Sequence, residues 1–125
     1  MKRPRRDDAR EKRIDLEILI EAYDEQERAM GWYYYLEENL TFPFRATCNG
    51  ERPSSPLQTG DTIEVIGLAD ADECTREIIV EIASTTDHDQ PLTVPLSQLD
   101  GVGVDAQAQQ AIEDWHYWVA RGYGF

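Results

Sequence analysis

The sequence predicts an α+β fold, a small antiparallel sheet, curled or barrel-like, packed by helices from its N-terminal and C-terminal ends. Three observations predict it. Segments towards both ends carry apolar residues at helical spacing behind an aspartate cap. The middle carries four short runs of strand-like residues separated by turn signals. The length of 125 residues suits one hydrophobic core.

Asp7–Asp15 reads as a short polar helix. From Ile14 to Ala22 the apolar residues alternate, so Glu17–Tyr23 is a strand candidate, with a helix as the alternative. Asp24 and Glu27 have the spacing of a capping box, which starts a helix running to about Asn39. Its apolar stripe is Ala29, Tyr33, Leu36 and Leu40, widened by Met30 and Tyr34. Gly31 within it costs about 1 kcal/mol relative to alanine, which points to close packing at that turn. Phe42–Cys48 is a strand whose Pro43 suits a sheet edge. The turn Thr59-Gly60-Asp61 precedes a second strand, Thr62–Ala69. A third spans Arg76–Ser84, with Ile78, Val80 and Ile82 on one face, and a fourth spans Leu92–Leu96. Asp105 caps a last helix that buries Ala108, Ala111, Ile112, Trp115, Trp118 and Val119 and stops at Arg121-Gly122.

Charge is unevenly placed. Residues 1–13 hold seven Lys/Arg against three Asp/Glu, a net of +4, whereas residues 14–125 hold five Arg against 22 Asp/Glu, a net of −17. The chain therefore divides into a basic, mobile tail leading into the first helix (1–13) and a single acidic domain (14–125). The acidic domain repels a polyanion, so no nucleic-acid partner is expected. No apolar run is long enough to span a bilayer, and no apolar segment follows the basic N-terminus as in a signal peptide. A cytoplasmic monomer is the expectation.

Cys48 and Cys74 stand 26 positions apart, and His88 and His116 are the only histidines, which is too sparse a set for a zinc site. Two buried free thiols are expected. The chain has no GxSxG, no phosphate-binding glycine loop and no HExxH. Asp114 and His116, two apart on a helix, do not face each other, so no enzyme is read here.

Carboxylates remain. Asp70, Asp72 and Glu73 fall in one short strand connection, and such hard oxygens on a flexible loop suit Ca²⁺. An EF-hand does not fit. Asp70, Asp72 and Glu81 match its positions 1, 3 and 12, but Cys74 and Thr75 occupy positions 5 and 6, and the flanks are strands. Glu37 and Glu38 end the capped helix, where negative charge opposes the macrodipole and a cation would offset the cost. Asp87-His88-Asp89 is a third acidic spot, read as an ordinary hairpin tip. The aromatic runs Trp32–Tyr35 and Trp115–Trp118 have helical spacing, so core packing is preferred to a ligand-stacking surface.

Gly31-Trp32-Tyr33-Tyr34-Tyr35-Leu36-Glu37, Phe42-Pro43-Phe44, Val94–Leu99, Asp114–Trp118 and Arg121-Gly122-Tyr123 together resemble the calcium-binding protein family first described in cyanobacteria. The resemblance covers nearly all of the chain beyond residue 10. It implies a small acidic Ca²⁺ binder outside the EF-hand class that buffers or sequesters the ion. The candidate ligands on this reading are Glu37, Glu38, Asp70, Asp72 and Glu73. The alternative is an acidic interaction module for a basic partner, with no metal role.

Overall fold

The structure, a computed structural model, describes residues 5–20, 22–52, 55, 57–74, 76–83 and 92–122. The Asp87–Asp89 spot lies outside them.

Helix α1 spans Asp8–Glu17, and the Asp7 side chain caps it by accepting from Arg10 N at 2.9 Å. The expected strand over Glu17–Tyr23 is absent among the described residues there. The chain finishes the helix and turns, with Ile18 N and Leu19 N both donating to Ile14 O. Ile14 and Ile18, one helical turn apart, share the buried face, while Leu16 and Ile20 are exposed. The period of four residues won over the period of two because the core lies on one side of a helix.

Helix α2 spans Glu25–Asn39. Asp24 accepts from Glu27 N at 2.8 Å, and the Glu27 carboxylate accepts from Tyr23 N, one residue before the expected return bond. Its buried stripe is Ala29, Trp32, Leu36 and the following Leu40. Trp32 therefore takes the core position expected for Tyr33, which is half-buried, and Tyr34 is exposed. Gly31 meets the expectation of close packing, since a Cβ there would lie 2.5 Å from the Ile18 carbonyl oxygen. The C-terminal turn of α1 rests on that bare backbone.

Five strands follow: β1 Phe44–Cys48, β2 Thr62–Leu68, β3 Ile79–Ile82, β4 Leu92–Pro95 and β5 Leu99–Val102. They form one open antiparallel sheet in the order β4-β3-β2-β1-β5. The sheet does not close into a barrel. β1 is an inner strand, not an edge, and Pro43 precedes it, so no ladder position is lost. The sequence reading missed β5. A 3-10 turn at Leu96–Gln98 reverses the chain after β4, and Leu-Asp-Gly-Val then pairs with β1 despite carrying one β-branched residue.

Helix α3 spans Ala106–Ala120. Asp105 caps it by accepting from Ala108 N at 2.7 Å, and Gly122 beyond its end has φ 81°. The expected face is buried, with Val119 half-covered. Trp115 and Trp118 pack on Trp32 of α2 at 5.0 and 5.8 Å between ring centroids, so both aromatic runs serve the core. Cys48 and Cys74 are buried and free.

Candidate metal site

The acidic residues separate into those with cationic partners and those without. Asp114 is the most thoroughly paired. It is fully buried on α3, and Arg13 of α1 grips it through two hydrogen bonds of 2.6 and 2.7 Å. The Tyr35 hydroxyl donates to the same carboxylate at 2.9 Å, and Arg10 approaches to 3.4 Å. These hydrogen bonds to Asp114 raise the Arg13 pKa further above its usual value. Burial, then the bond to Asp114, pushes the Tyr35 hydroxyl up to about 12. Two arginines and a tyrosine hydroxyl already answer this buried carboxylate, so it is a structural staple. His116, two residues on, turns away towards Leu96 O and Asp100, as the helix spacing requires.

The five candidate ligands present the opposite case. Glu37, Glu38, Asp70, Asp72 and Glu73 are all exposed, and among the described residues none makes an ion pair. The local structure follows from the sequence. Leaving β2 at Leu68, the chain makes a 3-10 turn at Ala71–Glu73, held by Glu73 N to Asp70 O at 2.8 Å and Cys74 N to Ala71 O at 3.1 Å. Cys74 faces inwards, and its sulfur accepts from Ile79 N at 3.3 Å. Burial pushes its thiol pKa up, and the negative charges of Glu73 and Asp70 add to that. The turn therefore keeps Cys74 in the core and its three carboxylates in solvent.

Tyr33 ties α2 to the residue that precedes the acidic turn. Its hydroxyl donates to Ala69 O, just before the acidic turn, at 2.9 Å. The Tyr33 pKa is raised, first by burial, then by Cys74, Glu37 and Asp70, so both acidic segments act on one hydroxyl. Glu37 lies one helical turn beyond Tyr33 on the same face of α2. The last turn of α2 contains no basic residue to answer its carboxylates. Asp72 faces elsewhere. It lines a cleft of about 310 Å³ between the turn and the start of α2, together with Glu25, Met30 and Cys74. Glu25 was not among the expected ligands, because only the packing of α2 on the turn brings it near Asp72.

Among the described residues, no three His, Cys, Asp or Glu side chains stand close enough together to hold a metal ion as they are. The donor chemistry does fit one kind of ion. Exposed carboxylate oxygens, with carbonyls of a short turn beside them, suit a hard cation of loose coordination such as Ca²⁺. Nitrogen and thiol donors for a transition metal are lacking at the turn apart from the buried Cys74.

Comparison with known proteins bears directly on this chemistry. The model of a family described as calcium binding, named for CcbP, matches residues 12–119. The crystal structure of Anabaena CcbP is 43% identical over 100% of both chains, with a TM-score of 0.85. A second structure, described as a calcium-binding protein in the calcium-binding form, is 44% identical over 96% of both chains, with a TM-score of 0.83. No curated protein sequence matches the chain. With its fold shared across its whole length and the family model covering most of its residues, this chain belongs to the CcbP family of calcium-binding proteins.

Proposed function

We propose that this protein binds Ca²⁺ through surface carboxylates outside any EF-hand and acts as a calcium buffer or sequestering protein. The observation that carries the reading is the set of exposed carboxylates at the β2–β3 turn and the end of α2 that make no ion pair among the described residues, in a chain of a calcium-binding family. Asp70, Asp72 and Glu73 supply oxygens from the turn, and Glu37 and Glu38 supply them from the helix. A bound cation relieves the repulsion among them and offsets the macrodipole at the end of α2. The mode differs from an EF-hand because β-strands flank the turn and Cys74 at its fifth position is buried.

The supporting physics extends to the setting. Two buried free thiols suit a reducing cytoplasm. A net charge of −13 opposes self-association, in keeping with a monomer. No catalytic role is invoked, since the carboxylates need only coordinate. Calorimetric titration of chelator-treated protein tests the reading. Saturable Ca²⁺ binding with much weaker Mg²⁺ binding is expected, because Mg²⁺ demands tight octahedral geometry and keeps its waters. Heat that saturates equally with both ions, or none beyond dilution, refutes Ca²⁺-selective binding. It leaves the acidic surface as a docking face for a basic partner.

A further inference from the structure

Where the chain leaves α1 and turns into α2, it leaves a groove of about 440 Å³. Ile18 and Gly31 line it where the two segments touch, so close that a Cβ on Gly31 would lie 2.5 Å from the Ile18 carbonyl oxygen. Backbone packed that tightly fixes the groove's shape before anything enters it. Ile20 lines it from the turn, and Met30 and Tyr34, one helical turn apart, line it from α2. Ile20 is 64% exposed and Tyr34 55%. Single exposed apolar residues are ordinary on a protein surface, but here two large ones stand in water on one preformed groove.

The charge around the groove chooses the occupant. Glu27 also lines it, one turn before Met30, and the exposed Glu38 lies one turn beyond Tyr34 on the same face of α2. Residues 14–39 hold eight Asp/Glu against one Arg, a net of −7. A second copy would bring the same acidic face against this one, and nucleic acid or an anionic lipid surface is repelled in the same way. The chain's own basic segment, residues 1–6, has Met1 as its only large apolar side chain, so it cannot fill the groove. A helix with an apolar stripe between basic residues answers both the groove and the charge. We infer that the α1–α2 groove docks a basic amphipathic helix of a partner protein, its apolar side chains seated between Ile20 and Tyr34 and its cations meeting Glu27 and Glu38. Those two glutamates are eleven positions apart, about 16 Å along α2, so cations three turns apart on the partner match them. Docking here does not depend on calcium, and the test runs in chelator to keep the two apart.

The probe is a labelled fourteen-residue peptide of leucine and lysine with its leucines at helical spacing. Its control has the same composition in an order that gives a helix no apolar face. Fluorescence anisotropy with the full chain is expected to show saturable binding of the first peptide, at least tenfold tighter than the control of equal charge. Ile20→Ser combined with Tyr34→Ser should weaken the first peptide on the order of tenfold, because both side chains lose apolar contact. Ile66→Ser, which removes an exposed isoleucine on β2, should leave it unchanged. Equal binding of the two peptides, an undiminished affinity in the double variant, or an equal loss in Ile66→Ser overturns the groove. Wild-type protein labelled at its methionine methyls gives a reading that needs no variant to fold. The Met30 signal should move on adding the first peptide, with Met1 unmoved, and a stationary Met30 overturns the inference. Sedimentation of the wild type as a dimer that the double variant abolishes overturns it in favour of a second copy.

Discussion

Asp114 and the carboxylates of the β2–β3 turn are the same functional group in opposite circumstances. Asp114 is fully buried beneath α1 and satisfied by Arg13, Arg10 and Tyr35. Asp70, Asp72 and Glu73 are exposed and have no ion pair among the described residues. The protein spends cations from its basic N-terminal segment on α3, and among the described residues no ion pair reaches the turn. Neighbouring surfaces add to the contrast. The Tyr117 hydroxyl donates to Glu11 at 2.6 Å and accepts from Asp7 N at 2.8 Å, so α1 is pinned to α3 at several points. A carboxylate already neutralised by arginine holds helices together. One left unpaired at the surface is available to an ion from solution.

The largest expected effect breaks the staple. Asp114→Ala removes one partner of a buried ion pair and leaves arginine charge and a tyrosine hydroxyl without their acceptor. A loss of about 3–5 kcal/mol in urea unfolding is expected. Calcium affinity, measured where the variant is still folded, should stay at the wild-type value. A weakened affinity there would show that the two regions are one unit, and the contrast would fail.

The next effect is the gain from calcium. A ligand at a hundredfold excess over its Kd adds about 2.7 kcal/mol to a protein that binds it only when folded. For a chain of 125 residues that raises the Tm by several degrees. NaCl at matched ionic strength should give much less, because screening relieves repulsion without a specific site. Asp70→Asn, Asp72→Asn and Glu73→Gln together should remove most of the calcium-specific shift and keep the NaCl response. If the shift survives the triple change, Glu37 and Glu38 become the better ligands. If NaCl matches calcium, the unpaired carboxylates are only a solubilising coat.

The smallest effect is alkaline and includes a contribution from the staple. Tyr35 has its pKa raised from 10 to about 12 in the folded chain, by burial and then by Asp114. A group raised by folding contributes stability that is complete below its unfolded pKa and disappears as pH climbs through its folded one. Stability should therefore fall between about pH 10 and 12. The loss attributable to Tyr35 is on the order of 1–2 kcal/mol after allowance for solvent screening, and it should be absent in Tyr35→Phe. Tyr33 and Tyr117 are also shifted upwards, so the comparison of wild type with Tyr35→Phe isolates the contribution.

Local chemistry was enough for much of this. Asp7, Asp24 and Asp105 each cap the helix that follows, because an aspartate oxygen reaches an amide of the first turn whatever surrounds it. The faces of α3 and of β3 were legible for the same reason, since a period of 3.6 or 2 is a property of the chain. The carboxylates of the acidic turn and the resemblance carried by the aromatic runs pointed to calcium before any packing was known. Tertiary structure decided what depends on residues far apart. Trp32 displaced Tyr33 from the core because Trp115 and Trp118 pack against it. Val102 and its neighbours became a strand because the open side of β1 offered them a ladder, not because of their own propensity. The partition of the carboxylates was decided in the same way. An aspartate reads alike at positions 70 and 114, and only the docking of α1 on α3 brings Arg13 to one of them. Charge pairing acts over a few ångströms of space and is indifferent to the 101 positions that separate Arg13 from Asp114 in the chain.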